Sequence, residues 1–331
     1  MFEISRYRRE FNEIGCIGKG GYGKVYHVKH KLDGADYAIK KITLSSARVR
    51  RIEERGQDEL DRLLMEVRTL ARFDHPNIVR YYGGWLEYTM PAASGPAASS
   101  DEPQLTLHIQ MSLHPLSLAD FLSPQSESLS NQGFEFRHCF HPQISMRILL
   151  AILDGVQYLH STRLIHRDLK PSNIFLSFHS SPSLSCIDLS SCQTCTHPRT
   201  PTPYLTIRIG DFGLVTEIAQ PDGGASSVLA SKAVGTELYR PHDSSGKLDE
   251  SLDVYALGII AVELLQRFET KMERLGRLGD ARSGKFDGVV AERTVEGGDE
   301  LLECIRRMIC EEKERFSCRE VRERIEKFLS P

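Results

Sequence analysis

The chain has 331 residues, of which 40% are hydrophobic and 26% are charged, so it is long enough for one large domain or two lobes. Its formal net charge of -3 gives no electrostatic argument for nucleic acid or a membrane surface as the main partner. The longest apolar run, residues 254–265, is too short to span a bilayer and the first ten residues lack a secretory signal, so we expect a cytoplasmic protein.

Strand patterns come first along the chain and helical patterns follow. Alternating apolar and polar positions predict a β-meander over residues 11–44, and an apolar stripe predicts a helix over 58–72. Strand-like runs follow at 78–88 and 105–111. Helical periodicity then predicts four further helices, at 143–161, 251–266, 299–310 and 318–329.

This order predicts an α+β fold with two lobes. The small β-rich lobe would span residues 1–112 and the larger α-helical lobe residues 113–331, with the joint near Ser112–Pro115. Three polar or Pro-rich stretches are long for loops in a compact domain, so we expect mobile surface insertions at 89–103, 123–141 and 177–205.

Eight cysteines are scattered along the chain, and we expect reduced thiols rather than a disulfide framework. The densest group is formed by Cys186, Cys192, Cys195 and His197, which include one CxxC pair and could in principle hold zinc. Because a second CxxC is missing and the surroundings are rich in Ser, Pro and Thr, we expect a loop without a metal there.

A glycine-rich stretch lies between the first two predicted strands. Gly18, Gly20 and Gly23 form a GxGxxG pattern, and Val25 follows it. Because a strand and not a helix comes next, the pattern argues against a dinucleotide-binding Rossmann site. A glycine-rich hairpin lets backbone N–H groups approach ATP phosphates without a side-chain clash, so we predict that these residues bind ATP.

Lys40 lies on the third predicted strand. It would contact the α- and β-phosphates if a carboxylate from the following helix held it in place. Glu66, near the middle of that helix, is the best candidate, and Glu59 is a weaker one. A lone strand lysine is usually solvated, but the glycine stretch before it and Glu66 after it favour a functional role.

Residues 166–173 supply the parts that phosphoryl transfer needs. Asp168 can orient a substrate hydroxyl and accept its proton, and Lys170 can neutralise charge on the moving phosphoryl group. Asn173 and Asp211 can hold magnesium, or manganese, through oxygen atoms. We therefore predict Mg²⁺ and ATP as cofactors.

These motifs, in this order, resemble protein kinases, and the resemblance covers about residues 11–329. It implies the bilobal protein-kinase fold. It also implies that Met111 is the gatekeeper, that Leu113 lies in the hinge beside adenine and that Asp253 braces the catalytic loop. Three further residues would sandwich the base: Val25, Ala38 and Phe175.

One stretch departs from the kinase pattern. Kinases usually end the activation segment with Ala-Pro-Glu, whereas Arg240 is followed here by Pro241, His242 and Asp243. Asp243 falls at the glutamate position and could pair with Arg315, through a shorter side chain. The departure concerns the peptide-binding region and leaves the ATP site intact.

Within the protein kinases, the chain most resembles the kinases of the eukaryotic translation initiation factor 2 alpha subunit, in particular a fungal, heme-regulated inhibitor-like type. Four segments carry this resemblance: residues 75–87, 107–111, 171–176 and 268–274. This implies that the alpha subunit is the protein substrate and that a serine in it is phosphorylated, which lowers translation under stress. Thr270 resembles the threonine that contacts this substrate. The alternative is that residues 268–274 form an ordinary amphipathic surface helix.

The same resemblance implies a homodimer through the small lobe and autophosphorylation of the activation segment. Arg167 before Asp168 suggests such control, because a phosphate could neutralise it. Ser231 and Thr236 are the leading phosphosite candidates. No Cys-Pro pair typical of heme regulation occurs, so heme control is not inferred.

Two other functions compete with this reading. One is a pseudokinase that binds ATP and partners without transfer, which the departure at 240–243 favours and the intact set Lys40, Asp168, Asn173 and Asp211 opposes. The other is an active serine/threonine kinase with a different protein substrate.

Overall fold

The structure is a computed structural model that describes residues 5–20, 23–89, 104–123, 138–183, 185–192, 204–211, 236–241, 249–286 and 297–330. These residues form two compact units. Unit 1 contains the described residues up to 74 and from 79 to 113, and unit 2 contains residues 75–78 and the described residues from 114 onward.

Unit 1 is built on a five-stranded antiparallel sheet. Its strands are β1 (Phe11–Gly20), β2 (Gly23–His30), β3 (Asp36–Thr43), β4 (Tyr81–Thr89) and β5 (Gln104–Ser112), in the spatial order β1-β2-β3-β5-β4. The predicted meander is therefore present as β1, β2 and β3. Three helices accompany the sheet: α1 (Arg6–Glu10), α2 (Ser46–Arg55) and α3 (Gln57–Ala71).

Aromatic rings dominate one core cluster of unit 1. Tyr7, Phe11 and Trp85 are buried together with Val28 and Ile39. The Trp85 ring lies nearly parallel to the rings of Phe11 and His108, with centroids 6.0 Å and 5.1 Å away. Rings of this size bury a large apolar area, so this stack ties β1, β4 and β5 together.

Gly23 allows β2 to approach β3 closely. Its φ is +142°, and a Cβ atom at this position would lie 2.1 Å from the backbone oxygen of Lys41. Any other residue would clash with the backbone of the neighbouring strand, so the need for glycine here is steric.

Unit 2 is mainly helical. Its helices are α4 (Leu118–Leu122), α5 (Pro142–Ser161), α6 (Ser251–Leu265), α7 (Lys271–Arg282), α8 (Gly298–Ile309) and α9 (Cys318–Leu329). A small antiparallel sheet accompanies them, with the strands β6 (Leu116–Ser117), β7 (Ile174–His179), β8 (Ile187–Asp188) and β9 (Tyr204–Ile209) in the order β6-β7-β9-β8.

The central helix of unit 2 is α6, in which every residue from Asp253 to Leu265 is buried. A helix that is apolar on all sides must be covered on all sides. At Gly258 a Cβ atom would lie 2.7 Å from Ile309 Cγ1, so the glycine lets α8 pack closely against α6.

The α+β architecture predicted from the sequence is confirmed, with the strand-rich part first and the helical part second. No helix among the described residues is long and apolar enough to cross a membrane. Most of the three predicted insertions, namely residues 90–103, 124–137 and 193–203, lies outside the described residues.

Candidate functional site

The predicted phosphate-binding glycines lie in the hairpin of β1 and β2. Gly18 pairs with Val25, and Gly20 pairs with Gly23 at the end of the ladder. Residues 21 and 22 lie outside the described residues. The backbone of this hairpin is therefore held by strand pairing up to its last pair, as a glycine-rich phosphate-binding hairpin requires.

Lys40 lies on β3, next to this hairpin. It pairs with Val25 on one side and Ile109 on the other, and it is 7% exposed. A buried lysine needs a partner of opposite charge. Glu66 lies on α3, as predicted, but its side chain is outside the described residues, so the pairing of Lys40 with Glu66 stays a prediction.

The alternative partner, Glu59, has other contacts. It is 4% exposed, and its carboxylate lies 3.4 Å from Arg48 Nε and 3.9 Å from Arg55 Nη1. Glu59 thus joins α3 to α2, which argues against a role beside Lys40.

The residues predicted to contact adenine fall in both units. In unit 1, Ala38 pairs with Met111 across β3 and β5, and Leu113 follows the end of β5. In unit 2, Phe175 lies on β7, and its ring stacks on His114 with centroids 6.1 Å apart. Their binding of adenine stays a prediction.

The catalytic loop brings Asp168, Lys170 and Asn173 together in unit 2. Lys170 Nζ lies 2.7 Å from Asp168 Oδ2. The amide nitrogen of Asn173 donates to the same Oδ2 at 3.1 Å and to the Asp168 backbone oxygen at 2.8 Å. Two donors therefore orient the Asp168 carboxylate, which remains partly exposed (28%).

A network of hydrogen bonds involving His166 and Asp253 holds the catalytic loop in place. His166 is fully buried, its Nε2 lies 3.1 Å from the Gly210 oxygen, and its Nδ1 accepts a bond from the Asp168 backbone N–H. Asp253 accepts bonds from the backbone N–H groups of His166 and Arg167 at 2.8 Å and 3.0 Å. Asp253 thus braces the loop, as the kinase resemblance implies.

The two predicted metal ligands lie on adjacent backbone segments. The Gly210 N–H donates to the Asn173 backbone oxygen at 3.0 Å, so Asp211 directly follows a residue bonded to Asn173. Because the amide nitrogen of Asn173 is used towards Asp168, its Oδ1 is the atom that could bind a cation. An amide oxygen and a carboxylate fit Mg²⁺ or Mn²⁺, which prefer oxygen ligands.

A comparison with known families gives the family of the chain. Residues 11–323 match the model described as "Protein kinase domain". The chain belongs to the protein kinase domain family. This membership implies the use of ATP and a divalent metal ion, in keeping with the oxygen ligands described above.

The curated relatives of this chain are also named as protein kinases. This chain is 25% identical to eukaryotic translation initiation factor 2-alpha kinase 2 of Schizosaccharomyces pombe, in an alignment that covers 88% of the chain. It is 26% identical to eukaryotic translation initiation factor 2-alpha kinase 1 of Rattus norvegicus, also over 88% of the chain. Over 85% of the chain it is 31% identical to the interferon-induced, double-stranded RNA-activated protein kinase of Rattus norvegicus.

The chain spans 62%, 63% and 46% of the lengths of these three relatives. Together with the family match, they support a serine/threonine protein kinase. The predicted resemblance to protein kinases, and within them to the initiation factor 2 alpha kinases, is confirmed by these matches.

Several predicted positions of the kinase lie beyond what the structure describes. Ser231 and Asp243 are outside the described residues, so the pairing of Asp243 with Arg315 is untested. Thr236 begins a short 3₁₀ helix, Thr236–Tyr239, but its side chain is not described. Arg315 donates to the Ser251 and Cys310 backbone oxygens and to Ser251 Oγ, and burial lowers its pKa.

Thr270 is the N-cap of α7. Its hydroxyl accepts a hydrogen bond from the Glu273 backbone N–H at 3.1 Å, and the residue is exposed. Met272 and Leu275, on the same helix, are 79% and 39% exposed. Residues 271–274 form the first turn of a surface helix that presents Met272 to solvent, and contact of Thr270 with a substrate stays a prediction.

A buried charge cluster that the sequence pattern did not predict anchors α7. Glu263, on α6, forms an ion pair with Arg274, and the Tyr239 hydroxyl donates to Glu263 Oε2 at 2.6 Å. Burial raises the pKa of Glu263 although Arg274 and Tyr239 oppose the shift. The signal was in the sequence: a single glutamate inside the apolar run 254–265 requires a partner.

Proposed function

We propose that this kinase transfers the γ-phosphoryl group of ATP to a serine of the translation initiation factor 2 alpha subunit and thereby lowers translation under stress. The carrying observation is the catalytic loop, in which Lys170 and Asn173 both hold the Asp168 carboxylate. The relatives named for this factor support the choice of substrate. A cytoplasmic location is part of the proposal, because this substrate belongs to the translation machinery.

The chemistry assigned to the described residues is simple. Asp168 orients the substrate serine hydroxyl and accepts its proton as the hydroxyl oxygen bonds to the γ-phosphorus. The bond between that phosphorus and the β,γ-bridging oxygen breaks, and ADP leaves. Lys170 neutralises negative charge near the transferred group. Mg²⁺ held by Asn173 and Asp211 supplies further charge neutralisation when it is bound.

The alternative of a pseudokinase is opposed by the same geometry. A protein that only binds ATP has no need of a carboxylate oriented by two donors and braced by Asp253. A homodimer through unit 1 and the absence of direct nucleic-acid binding stay predictions. Phosphorylation at Ser231 or Thr236 likewise stays a prediction.

The test is a radiolabelled-ATP assay on the purified chain with the initiation factor alpha subunit. We expect transfer to the factor, and Asp168→Asn should reduce it by about 10²-fold or more, since the group that accepts the proton is lost. Asp299→Asn, an exposed aspartate in the first turn of α8, is the matched control and should retain the wild-type rate.

Each other outcome points to a different function. Binding of ATP without any phosphoryl transfer contradicts an active kinase and favours the pseudokinase. Autophosphorylation without transfer to the factor retains the kinase activity but refutes this substrate.

A further inference from the structure

Unit 2 contains a second cluster of possible metal ligands, formed by Cys139, His141 and Cys192. The Sγ atoms of the two cysteines are 4.0 Å apart, and Cys192 Sγ lies 3.2 Å from His141 Nδ1. All three ligand atoms lie within 4.8 Å of one another. Cys192 and His141 are separated by 51 residues, so the fold and not local spacing brings them together.

These distances are compatible with three of the four positions of a tetrahedral zinc site. Zinc binds thiolate sulfur at about 2.3 Å and imidazole nitrogen at about 2.0–2.1 Å. With tetrahedral angles, these bond lengths place two sulfurs about 3.8 Å apart and a sulfur and a nitrogen about 3.6 Å apart. Two of the three pairs, at 4.0 Å and 3.2 Å, lie within a few tenths of an ångström of these values, and the third pair, Cys139 and His141, lies within 4.8 Å.

Two of the three proposed ligands lie next to regular secondary structure. His141 immediately precedes Pro142, the first residue of α5. Cys192 follows the 3₁₀ helix Leu189–Ser191 and is 4% exposed. Next to Cys139, His138 is buried, and its Nε2 lies 2.9 Å from the Leu264 oxygen of α6.

The chemistry of the donors selects the metal. Two thiolates and an imidazole suit zinc, whereas the oxygen ligands of the catalytic loop suit magnesium. Cys139 and Cys192 are free cysteines in the structure, with their Sγ atoms 4.0 Å apart, so both are available as ligands. On zinc binding both thiols would lose their protons, and the neutral imidazole would bind through Nδ1.

We propose that Cys139, His141 and Cys192 bind a structural Zn²⁺ ion that joins the N-terminal end of α5 to the end of the segment following β8. The cluster shares only Cys192 with the group that the sequence singled out. Cys195, which completes the CxxC, and His197 lie outside the described residues, and no role is assigned to them.

A zinc ion at this position would connect segments on both sides of the catalytic loop. Helix α5 ends at Ser161, just before this loop, and β7 begins at Ile174, just after it. Cys192 belongs to the segment between β7 and β9, and Asp211 follows β9. The proposed role is structural, and it does not depend on which protein the kinase phosphorylates.

The test measures the metal content of the full chain, purified under reducing conditions with any affinity tag removed. We expect about one zinc per chain in the wild type. Cys139→Ser and His141→Ala should weaken zinc binding by at least about 10-fold, because loss of a ligand costs at least as much as loss of an outer-shell contact. Cys186→Ser, which changes a nearby cysteine outside the cluster, is the matched control and should retain the zinc.

A second measurement needs no variant. Cobalt(II) added to the metal-free wild type should give the intense thiolate-to-cobalt absorption of a tetrahedral site. A wild type without zinc and without this absorption refutes the proposal, as does a full zinc content in Cys139→Ser. A Cys139–Cys192 disulfide in the reduced preparation, detected by mass spectrometry, refutes it too.

Discussion

At the scale of single residues, Asp253 carries an unusual number of contacts for a buried charge. It is 1% exposed, and it accepts hydrogen bonds from the backbone N–H groups of His166 and Arg167. Its Oδ2 also lies 2.8 Å from His160 Nε2. Because three donors satisfy one carboxylate, removal of the charge leaves several of them without a good acceptor.

We predict that Asp253→Asn destabilises unit 2 by about 3 kcal/mol, since an amide nitrogen would then face a backbone N–H. The looser catalytic loop should lower kcat more than it raises the KM for ATP. Urea unfolding followed by helical circular dichroism, together with the kinase assay, measures both effects.

The control for this variant is Glu250→Gln. Its carboxylate lies 3.6 Å from the other ring nitrogen of His160, but the side chain is 64% exposed. An exposed ion pair contributes about 0–1 kcal/mol, so little change is expected. Equal stability of Asp253→Asn and the wild type would show that Asp253 does not brace the loop.

Contacts between residues that are close in the sequence could be predicted, whereas contacts between distant residues could not. Asp168, Lys170 and Asn173 lie within six residues, so their meeting in one loop follows from their spacing. Cys139, before α5, and Cys192, after the 3₁₀ helix Leu189–Ser191, are 53 residues apart and come together only through the fold, so no spacing rule predicts their contact. Glu263 was visible as a charge in an apolar run, but its partner Arg274 was not.

At the scale of secondary-structure elements, α7 combines a cap, an anchor and an exposed surface. Thr270 caps its first turn, Arg274 anchors it to α6 through Glu263, and Met272 points into solvent. A proposed docking helix needs this combination, because its position has to be fixed while one face stays accessible. Substitutions on α7 can therefore separate stability from substrate recognition.

We predict that Met272→Glu lowers phosphorylation of the initiation factor about tenfold while autophosphorylation stays near the wild-type rate. A side chain that is 79% exposed contributes little to stability, so the loss would report on docking. Leu32→Glu, in which another exposed side chain (90%) in unit 1 is changed, is the control and should leave both reactions unchanged.

Thr270 is tested by a pair of variants. Thr270→Ala removes the cap and should cost about 1 kcal/mol of stability, whereas Thr270→Ser keeps a capping hydroxyl. If Thr270 contacts the substrate, Thr270→Ala should reduce phosphorylation of the factor more than autophosphorylation. Equal losses in both reactions would show that the residue acts only as a cap.

Among the elements, long amphipathic or fully apolar segments were predicted well and short or charged ones were not. The helix predicted at 143–161 is found at Pro142–Ser161, and the one at 318–329 has the same bounds. By contrast α2 is largely charged, so no apolar stripe identified it, and β7 and β9 depend on their pairing with each other. Gly276 and Gly279 weaken the helical propensity of α7, which its anchor to α6 overcomes.

At the scale of the whole molecule, the two units can be followed separately in solution. The only tryptophan of the chain, Trp85, lies in the core of unit 1 and stacks on His108. Of the helices in the described part of the chain, most belong to unit 2. Tryptophan fluorescence therefore reports on unit 1, and helical circular dichroism reports mainly on unit 2.

We predict that unit 1 loses stability on mild acidification because of His108. Burial, and then the positive charge of Lys41, lower the pKa of His108 to about 4 in the folded unit, against a smaller opposing effect of the hydrogen bond with the Thr106 backbone. In the unfolded chain a histidine has a pKa of about 6.5. The unfolded state therefore binds more protons between these two values, and the free energy of unfolding falls by about 2 kcal/mol from about pH 7 to about pH 5.

His108→Phe tests this pH dependence, because it keeps a ring against Trp85 and removes the titrating group. Urea unfolding followed by Trp85 fluorescence should show a smaller loss at low pH, by about 2 kcal/mol, than in the wild type. Other groups titrate equally in both proteins, so the same pH dependence in both would refute the role of His108.

The charge cluster of Glu263, Arg274 and Tyr239 also determines whether unit 2 can fold stably without α7. Glu263 is buried in the last turn of α6, where Arg274 of α7 is its ion-pair partner, and removal of one partner of such a buried pair costs about 3–5 kcal/mol. A fragment that ends before Lys271 would leave this charge without its cation. The proposed docking helix is therefore also part of the packing of unit 2, so its removal would lower the stability of the unit as well as remove the proposed docking surface.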